Sequence, residues 1–465
     1  MKSNLKLGVA FITLLISQSV SAQNYFFPDE SELHEGTWLQ WPHQYEYGIS
    51  FRNENDATWV AMTNALQANE KVHIIAYNST EQTRITNLLT SASVPLTNVD
   101  FKIFQTNDVW VRDNGPIYVY DSNGNLVIED WGFNGWGGDY NFDKCNPIPT
   151  SIANATTTPV VNLNSIMTVE GGSLEMDGNG VFLATKSAIL SQSNPNSQIQ
   201  SIRNLGMTEA QANAIFTQYL GAEKFYWLQG GFSTEDITDF HIDGFAKFAP
   251  GNKIVTMSQA DLLYWGVIQS DINILFSMSN IDNIAYTRIT LPLTQNDVSK
   301  TNGTNLGYKG SYCNYYVANN RVLVPNYNDP NDAVANNIIA GLYPGRTVVG
   351  IDVRNLYGNG GMVHCVTQQQ PANEALNLKK IPNDKTFDFY PNPSNGSDLK
   401  FNLSENSTFK IEIYDVLGKK IQDITETNYS SGLNTLNLDL KNGVYTLNVI
   451  FSNQKRVVKK MIVSL

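Results

Sequence analysis

The chain has 465 residues, 42% hydrophobic and only 16% charged, a globular composition long enough for one large domain and a smaller one. Its formal charge of −12, from 31 basic and 43 acidic residues, excludes the basic face that nucleic-acid binding needs. The acids are concentrated between residues 23 and 386, where 20 basic face 35 acidic groups, an excess that draws cationic ligands.

Residues 1–22 read as an export signal. Lys2 and Lys6 precede the apolar run 7–16, and Val20-Ser21-Ala22 is a small-residue cleavage site. That run is too short to span a bilayer and no later one is longer, so the expectation is a protein without a transmembrane segment, secreted or held at the cell surface. Periodicity then predicts a helix over 55–70, with Trp59, Met62 and Leu66 on one face, and a strand over 71–77. Ser79-Thr80-Glu81-Gln82 reads as a capping box opening a helix through 89, with a strand over 99–104. A second box, Thr208-Glu209-Ala210-Gln211, opens a helix carrying Phe216, Tyr219 and Leu220, and a strand over 224–228 follows. Helix 332–342 and strand 346–351 continue the alternation, which argues for α/β architecture; no residue-level repeat indicates an array. Near residue 380 the texture changes. Residues 379–386 are linker-like, and short β runs over 399–403, 408–414, 433–438, 444–451 and 456–463 predict a small all-β sandwich. The domain plan is a signal at 1–22, a large domain at 23–378, a linker at 379–386 and a β domain at 387–465. The β domain has no cysteine or histidine, so it suits binding or anchoring.

The large domain holds all three cysteines, Cys145, Cys313 and Cys365. Outside the cytosol Cys145 and Cys313 are candidates to pair, but spacing does not bring them together. Cys365 follows the glycine-rich turn Gly358-Asn359-Gly360-Gly361 and begins a run of strand-forming residues. Glycines there let backbone approach a ligand closely, which makes Cys365 the candidate nucleophile. Of the five histidines, His364 adjoins the cysteine and on a strand would face away from it; His73 sits inside an apolar strand and reads as structural, and His34 and His43 lie in an aromatic-rich N-terminal segment. His241 stands out, because Asp239-Phe240-His241-Ile242-Asp243 alternates and a strand would put both aspartates and the histidine on one face. Trp110-Val111-Arg112-Asp113-Asn114-Gly115-Pro116 offers a ring and a carboxylate for a cation, or a salt bridge at a turn. Glu170-Gly171-Gly172-Ser173 presents a carboxylate at a flexible corner.

Together with Trp131-Gly132-Phe133-Asn134-Gly135-Trp136-Gly137-Gly138, these segments resemble the agmatine deiminases and the bacterial peptidylarginine deiminases of the same family, from about Pro28 to Pro371. The resemblance implies a five-bladed α/β propeller with its site in a central cavity, and no metal or other cofactor. By position it implies catalysis by Cys365, His241, Asp113 and Asp243. Asp113 and Asp243 would grip a guanidinium, Glu170 would support His241, and Trp110 and the backbone at Gly361 would line the pocket. Phe389-Tyr390-Pro391-Asn392-Pro393 and Asn442-Gly443-Val444-Tyr445 are similar to type IX secretion sorting domains, which implies that machinery as a partner and passage through the periplasm.

The implied reaction is hydrolytic deimination through a cysteine thiouronium. Agmatine is the expected substrate, since no arginine lies between Arg112 and Arg203 to hold a substrate carboxylate. Peptidyl arginine is the alternative, because export suits an enzyme acting outside the cell. Two other classes stay open at this stage: a metallohydrolase using Asp239, His241 and Asp243 as ligands, and a non-catalytic adhesin working through its β domain.

Overall fold

The computed structural model describes residues 25–190, 203–231, 236–373 and 388–464, the last without 393, 404–405, 416–418 and 452–455. The export signal at 1–22 and the linker at 379–386 lie outside the described residues.

Residues 25–373 form five small mixed sheets built alike. In four of them a first strand pairs antiparallel with a central strand, which pairs parallel with a third. These are Ile117–Tyr120, Leu126–Gly132 and Val160–Thr168; Glu175–Met176, Val181–Thr185 and Lys224–Leu228; Ala246–Ala249, Lys253–Met257 and Thr287–Leu291; and Tyr316–Ala318, Arg321–Asn326 and Thr347–Asp352. The fifth sheet takes Gln368–Pro371 from the far end of the domain and pairs it with His34–Gln40, followed by the parallel strands Lys71–Ala76 and Val99–Ile103. A parallel pair needs a long crossover, and each one here carries helix, among them Ser79–Ser91, Ile148–Thr156, Glu209–Leu220 and Asn331–Leu342. These helices bury their apolar stripe, for example Ala212, Phe216 and Leu220.

The five-bladed propeller implied by the resemblance is corrected. The strand pairings give five separate sheets of three or four strands. Among the described residues there is an α/β domain of several small mixed sheets, and no closed propeller barrel is found. Two local readings also change. The helix predicted over 55–70 is the second part of Gln44–Leu66, kinked where Gly48 takes φ 82°. The cap of Ser79–Ser91 is Asn78, whose side chain accepts from Glu81 N, so the box read at Ser79 gives way to a one-sided cap one residue earlier. The box at Thr208 and Gln211 forms as read.

The C-terminal residues make two facing antiparallel sheets, one of Asp388–Tyr390, Asp398–Leu403 and Gly432–Asn437, the other of Lys420–Tyr429, Ser407–Asp415, Gly443–Phe451 and Arg456–Val463. Alternation puts Leu399, Phe401 and Leu403 inward, against a core that includes Phe409, Ile411, Leu447 and Val449, the sandwich-like arrangement that its β pattern predicts.

Candidate active site

Five segments that lie far apart in sequence end in the same place because each precedes the first strand of a sheet. The single turn Val111–Asn114 leads into Ile117–Tyr120, the 3₁₀ turn Gly171–Ser173 into Glu175–Met176, and Ile242–Gly244 into Ala246–Ala249. Asn314 lies just ahead of Tyr316–Ala318, and His364–Val366 just ahead of Gln368–Pro371. Short turns suit this position, since they expose N–H groups and side chains that a ladder would otherwise occupy.

Gly172 marks the meeting point. A Cβ built on it would lie 2.7 Å from Asp113 Oδ1, 2.7 Å from His241 Nδ1 and 3.1 Å from Asp243 Oδ2. Its amide donates to Asp113 Oδ1 at 3.2 Å, and the Trp136 indole donates to the other oxygen at 3.0 Å. His241 is held from behind by Glu170, with Nε2 2.8 Å from Oε2, while Nδ1 lies 3.5 Å from Asp113 Oδ1. Cys365 Sγ sits 3.8 Å from Asp243 Oδ2 and 3.3 Å from Asn314 Nδ2. The ring of Trp110 fills the space beside Gly361, where a Cβ would meet Trp110 Cζ3 at 2.2 Å. Structure thus brings Cys365, His241, Asp113, Asp243, Glu170, Trp110 and Gly361 into one neighbourhood, with all but the half-buried cysteine nearly excluded from solvent.

Electrostatics follow from three carboxylates sharing this buried space. Burial, with Asp243 and Glu170 adding to it against the opposing charge of His241, pushes Asp113 up to about 7. For His241 burial works against the cation, but Asp113 and Glu170 outweigh it and carry the imidazole up to about 9. Burial, then the charges of Asp243 and Asp113, holds the Cys365 thiol well above its ordinary range. Asp243 is held below the usual carboxylate range despite burial, by its hydrogen bond to His364.

Sequence reading misses four contributors. Arg203 is fully buried, with Nε 2.7 and 2.9 Å from the two oxygens of Glu170 and Nη1 2.6 Å from Asp239 Oδ2. Asn314 accepts from the His364 amide at 2.9 Å as well as touching Sγ. Trp136 clamps Asp113, and Glu30 reaches His364 from the N-terminal end of the domain. Only Trp136 lies in a segment that carries the family resemblance; the others sit in unremarkable stretches and are found by tertiary geometry.

Three expectations are corrected. Residues 239–243 are not a strand: Asp239 and Phe240 take φ of 56° and 68°, and His241 caps a 3₁₀ turn. Asp239 therefore turns to Arg203, while His241 and Asp243 reach the site. This also removes Asp239 from a metal-ligand set, and among the described residues no group of His, Cys, Asp and Glu side chains is disposed to hold a metal. Cys365 does not open a strand but lies in the 3₁₀ turn His364–Val366, and the strand starts at Gln368. Cys145 and Cys313 are both free and buried, so the candidate disulfide is absent.

The profile of the Porphyromonas-type peptidyl-arginine deiminases matches residues 26–371. The chain belongs to this deiminase family. A secretion-system C-terminal sorting domain matches residues 388–464, a type IX sorting domain. Agmatine deiminase of Pseudomonas aeruginosa (strain LESB58) is 26% identical over 381 residues, which cover 76% of this deiminase and 96% of that protein. Solved agmatine deiminases from Enterococcus faecalis (24% identical) and, with substrate bound, from C. jejuni (23% identical) share the fold. Each has a TM-score of 0.63 and covers 75% of this chain and 96% of its own. The deiminase is accordingly a hydrolase of the class acting on guanidino C–N bonds, and among its described residues no helix is long and apolar enough to cross a membrane.

Proposed function

We propose that the protein hydrolyses a guanidino group to a ureido group and ammonia through a covalent intermediate on Cys365. The observation that carries this reading is the convergence of Asp113, His241 and Asp243 on the space in front of Gly172, with Cys365 Sγ beside Asp243. A guanidinium is a flat, resonance-stabilised cation, so its carbon is a poor electrophile. Asp113 and Asp243 take its N–H donors, hold its charge out of water and fix the carbon before the sulfur. The same cation neutralises the two carboxylates that hold the thiol up, so substrate binding favours the thiolate, the thiol proton leaving to solvent.

Sulfur then adds to the carbon. His241, a cation at neutral pH, protonates the departing nitrogen as the C–N bond breaks, leaving a thiouronium. The imidazole, now neutral, takes a proton from water as its oxygen attacks the same carbon. The C–S bond breaks, releasing the ureido product and regenerating Cys365.

Agmatine fits the site best. Two described arginines lie by the site: Arg203 is held by Glu170 and Asp239, and Arg112 is buried, its Nε on the His364 carbonyl and its Nη2 3.6 Å from Glu30. Neither is placed to hold a substrate carboxylate, and agmatine has none. A second reading, peptidyl arginine, is favoured by the sorting domain, which suits an enzyme working at the cell surface or beyond after transit through the periplasm. A colorimetric ureido assay comparing agmatine, free arginine and a peptide ending in arginine separates the readings. Cys365→Ser is expected to abolish ureido formation from the preferred substrate; turnover within tenfold of wild type would reject the covalent route.

A further inference from the structure

We propose that His364, the neighbour of the nucleophile, is a positioning residue that holds Asp243 from behind and is itself held by Glu30. The inference rests on the deiminase reading above. On a strand His364 would point away from the chemistry and have no part in it. In the 3₁₀ turn its ring instead passes under Asp243, where it is almost fully buried. Nδ1 lies 2.9 Å from Asp243 Oδ2, the same oxygen that faces Cys365 Sγ. Nε2 lies 2.7 Å from Glu30 Oε2. Both contacts are hydrogen bonds only when both ring nitrogens carry hydrogen, since a carboxylate only accepts.

Glu30 is anchored in turn. Its Oε2 accepts from Lys247 Nζ at 3.0 Å, its Oε1 accepts from the Val317 amide at 2.9 Å, and Arg112 Nη2 lies 3.6 Å away. Lys247 Nζ is also 3.3 Å from His364 Nε2, and Glu175 lies 3.9 Å beyond it. From the rear of the domain to the site the groups therefore run Lys247, Glu30, His364, Asp243 and then the substrate cation. Asp243 Oδ2 is thus held by His364 on one side and faces Cys365 Sγ and Gly172 on the other, a buried acid held below the usual carboxylate range. Other charges facing Asp243 are His241 and Arg112. The Arg112 guanidinium fixes the His364 backbone through its carbonyl, at 3.3 Å.

A merely structural pair would cost stability when cut and leave the chemistry of the folded enzyme alone. A positioning pair changes how the site reads a cation. The full-length protein, its His364→Leu and His364→Asn variants and Glu30→Gln are compared for kcat and KM from pH 5 to 9. Alkylation of Cys365 by cationic chloroacetamidine and by neutral iodoacetamide is followed in parallel. With His364→Leu, kcat/KM is expected to fall about 100-fold, the cost of a carboxylate set loose by an ångström, and preference for the cationic alkylator disappears. Asn carries an N–H near the place of Nδ1, so His364→Asn restores most of both. Glu30→Gln keeps the shape and removes the charge, and is read if the leucine variant does not fold; it should lose about tenfold. Without the ring that donates to its Oδ2, Asp243 ionises at higher pH, so the acid limb of kcat/KM moves upward in the leucine variant. Variants that fold, keep the wild-type preference for chloroacetamidine and show an unmoved acid limb overturn the proposal. Failure of the deiminase reading looks different: the wild type itself would show no preference for the cationic reagent and no dependence on Cys365.

Discussion

Substituting Gly172 by alanine tests the site with a single methyl group. The backbone there is not left-handed, so alanine brings no conformational strain of its own. What it brings is volume, at 2.7 Å from both Asp113 Oδ1 and His241 Nδ1 and 3.1 Å from Asp243 Oδ2. A 2.7 Å approach is about 0.8 Å inside the ~3.5 Å at which such contacts become favourable. Asp113 cannot retreat freely, because Trp136 and the Gly172 amide hold its two oxygens, and His241 is backed by Glu170 at 2.8 Å. Overpacking of this kind costs about 1–3 kcal/mol of stability. Moving two functional groups by most of an ångström costs about 100-fold in rate. We expect Gly172→Ala to melt a few degrees lower while kcat/KM in the ureido assay falls about 100-fold. Gly341, in the helix Asn331–Leu342, has open space around its Cβ position and serves as the control. Its alanine variant should gain about 0.5–1 kcal/mol and keep full activity. If Gly172→Ala keeps kcat/KM within about threefold of wild type, the space in front of Gly172 is not where the reaction occurs.

Three further outcomes follow from the same geometry. Arg203→Leu leaves Glu170 and Asp239 buried without their shared cation, and urea unfolding should show a loss of about 3–5 kcal/mol; a loss below 1 kcal/mol would mean that the pair is solvated. His241 is raised from 6.5 to about 9, so its contribution to stability is complete below pH 6.5 and is lost as pH rises through about 9. Between those limits the urea midpoint of wild type should fall more steeply than that of His241→Asn, and parallel curves would contradict the shift. A thiol reagent should count three thiols in the denatured, unreduced chain, since Cys145, Cys313 and Cys365 are all free; a count of one would restore the disulfide.

Much of the fold was legible because its signals are local. The strand Lys71–Ala76, the capped helix Glu209–Leu220 and the sandwich strand Asp398–Leu403 each carry their period within a dozen residues, and each forms as patterned. The five sheets share a topology without sharing residues, so no repeat in the sequence announces them. Two sandwich strands, Asp388–Tyr390 and Lys420–Tyr429, escaped notice for a related reason. The first is three residues long, and the second keeps nearly every side chain at least partly exposed, which erases the alternation a pattern needs.

The site separates along the same line. Glycine-flanked Cys365 and the His241–Asp243 doublet stand out because their neighbours are unusual. Arg203, Asn314 and Glu30 do not, although Asn314 bonds Cys365 directly, and Arg203 and Glu30 hold Glu170 and His364, the groups behind His241 and Asp243. A pattern of two assumes extended backbone, and at Asp239 and Phe240 the chain turns left-handed, so the three polar residues split between two tasks. Asp239 goes to the arginine that anchors Glu170, while His241 and Asp243 converge on Gly172. The same departure from extended backbone turns His364 under Asp243. Strand logic put that ring on the wrong side of the cysteine because it treated the turn as the start of the strand, which begins at Gln368. Reading this class of site from sequence therefore depends on recognising that its chemistry sits one turn ahead of the strands, where helical and extended periods both fail.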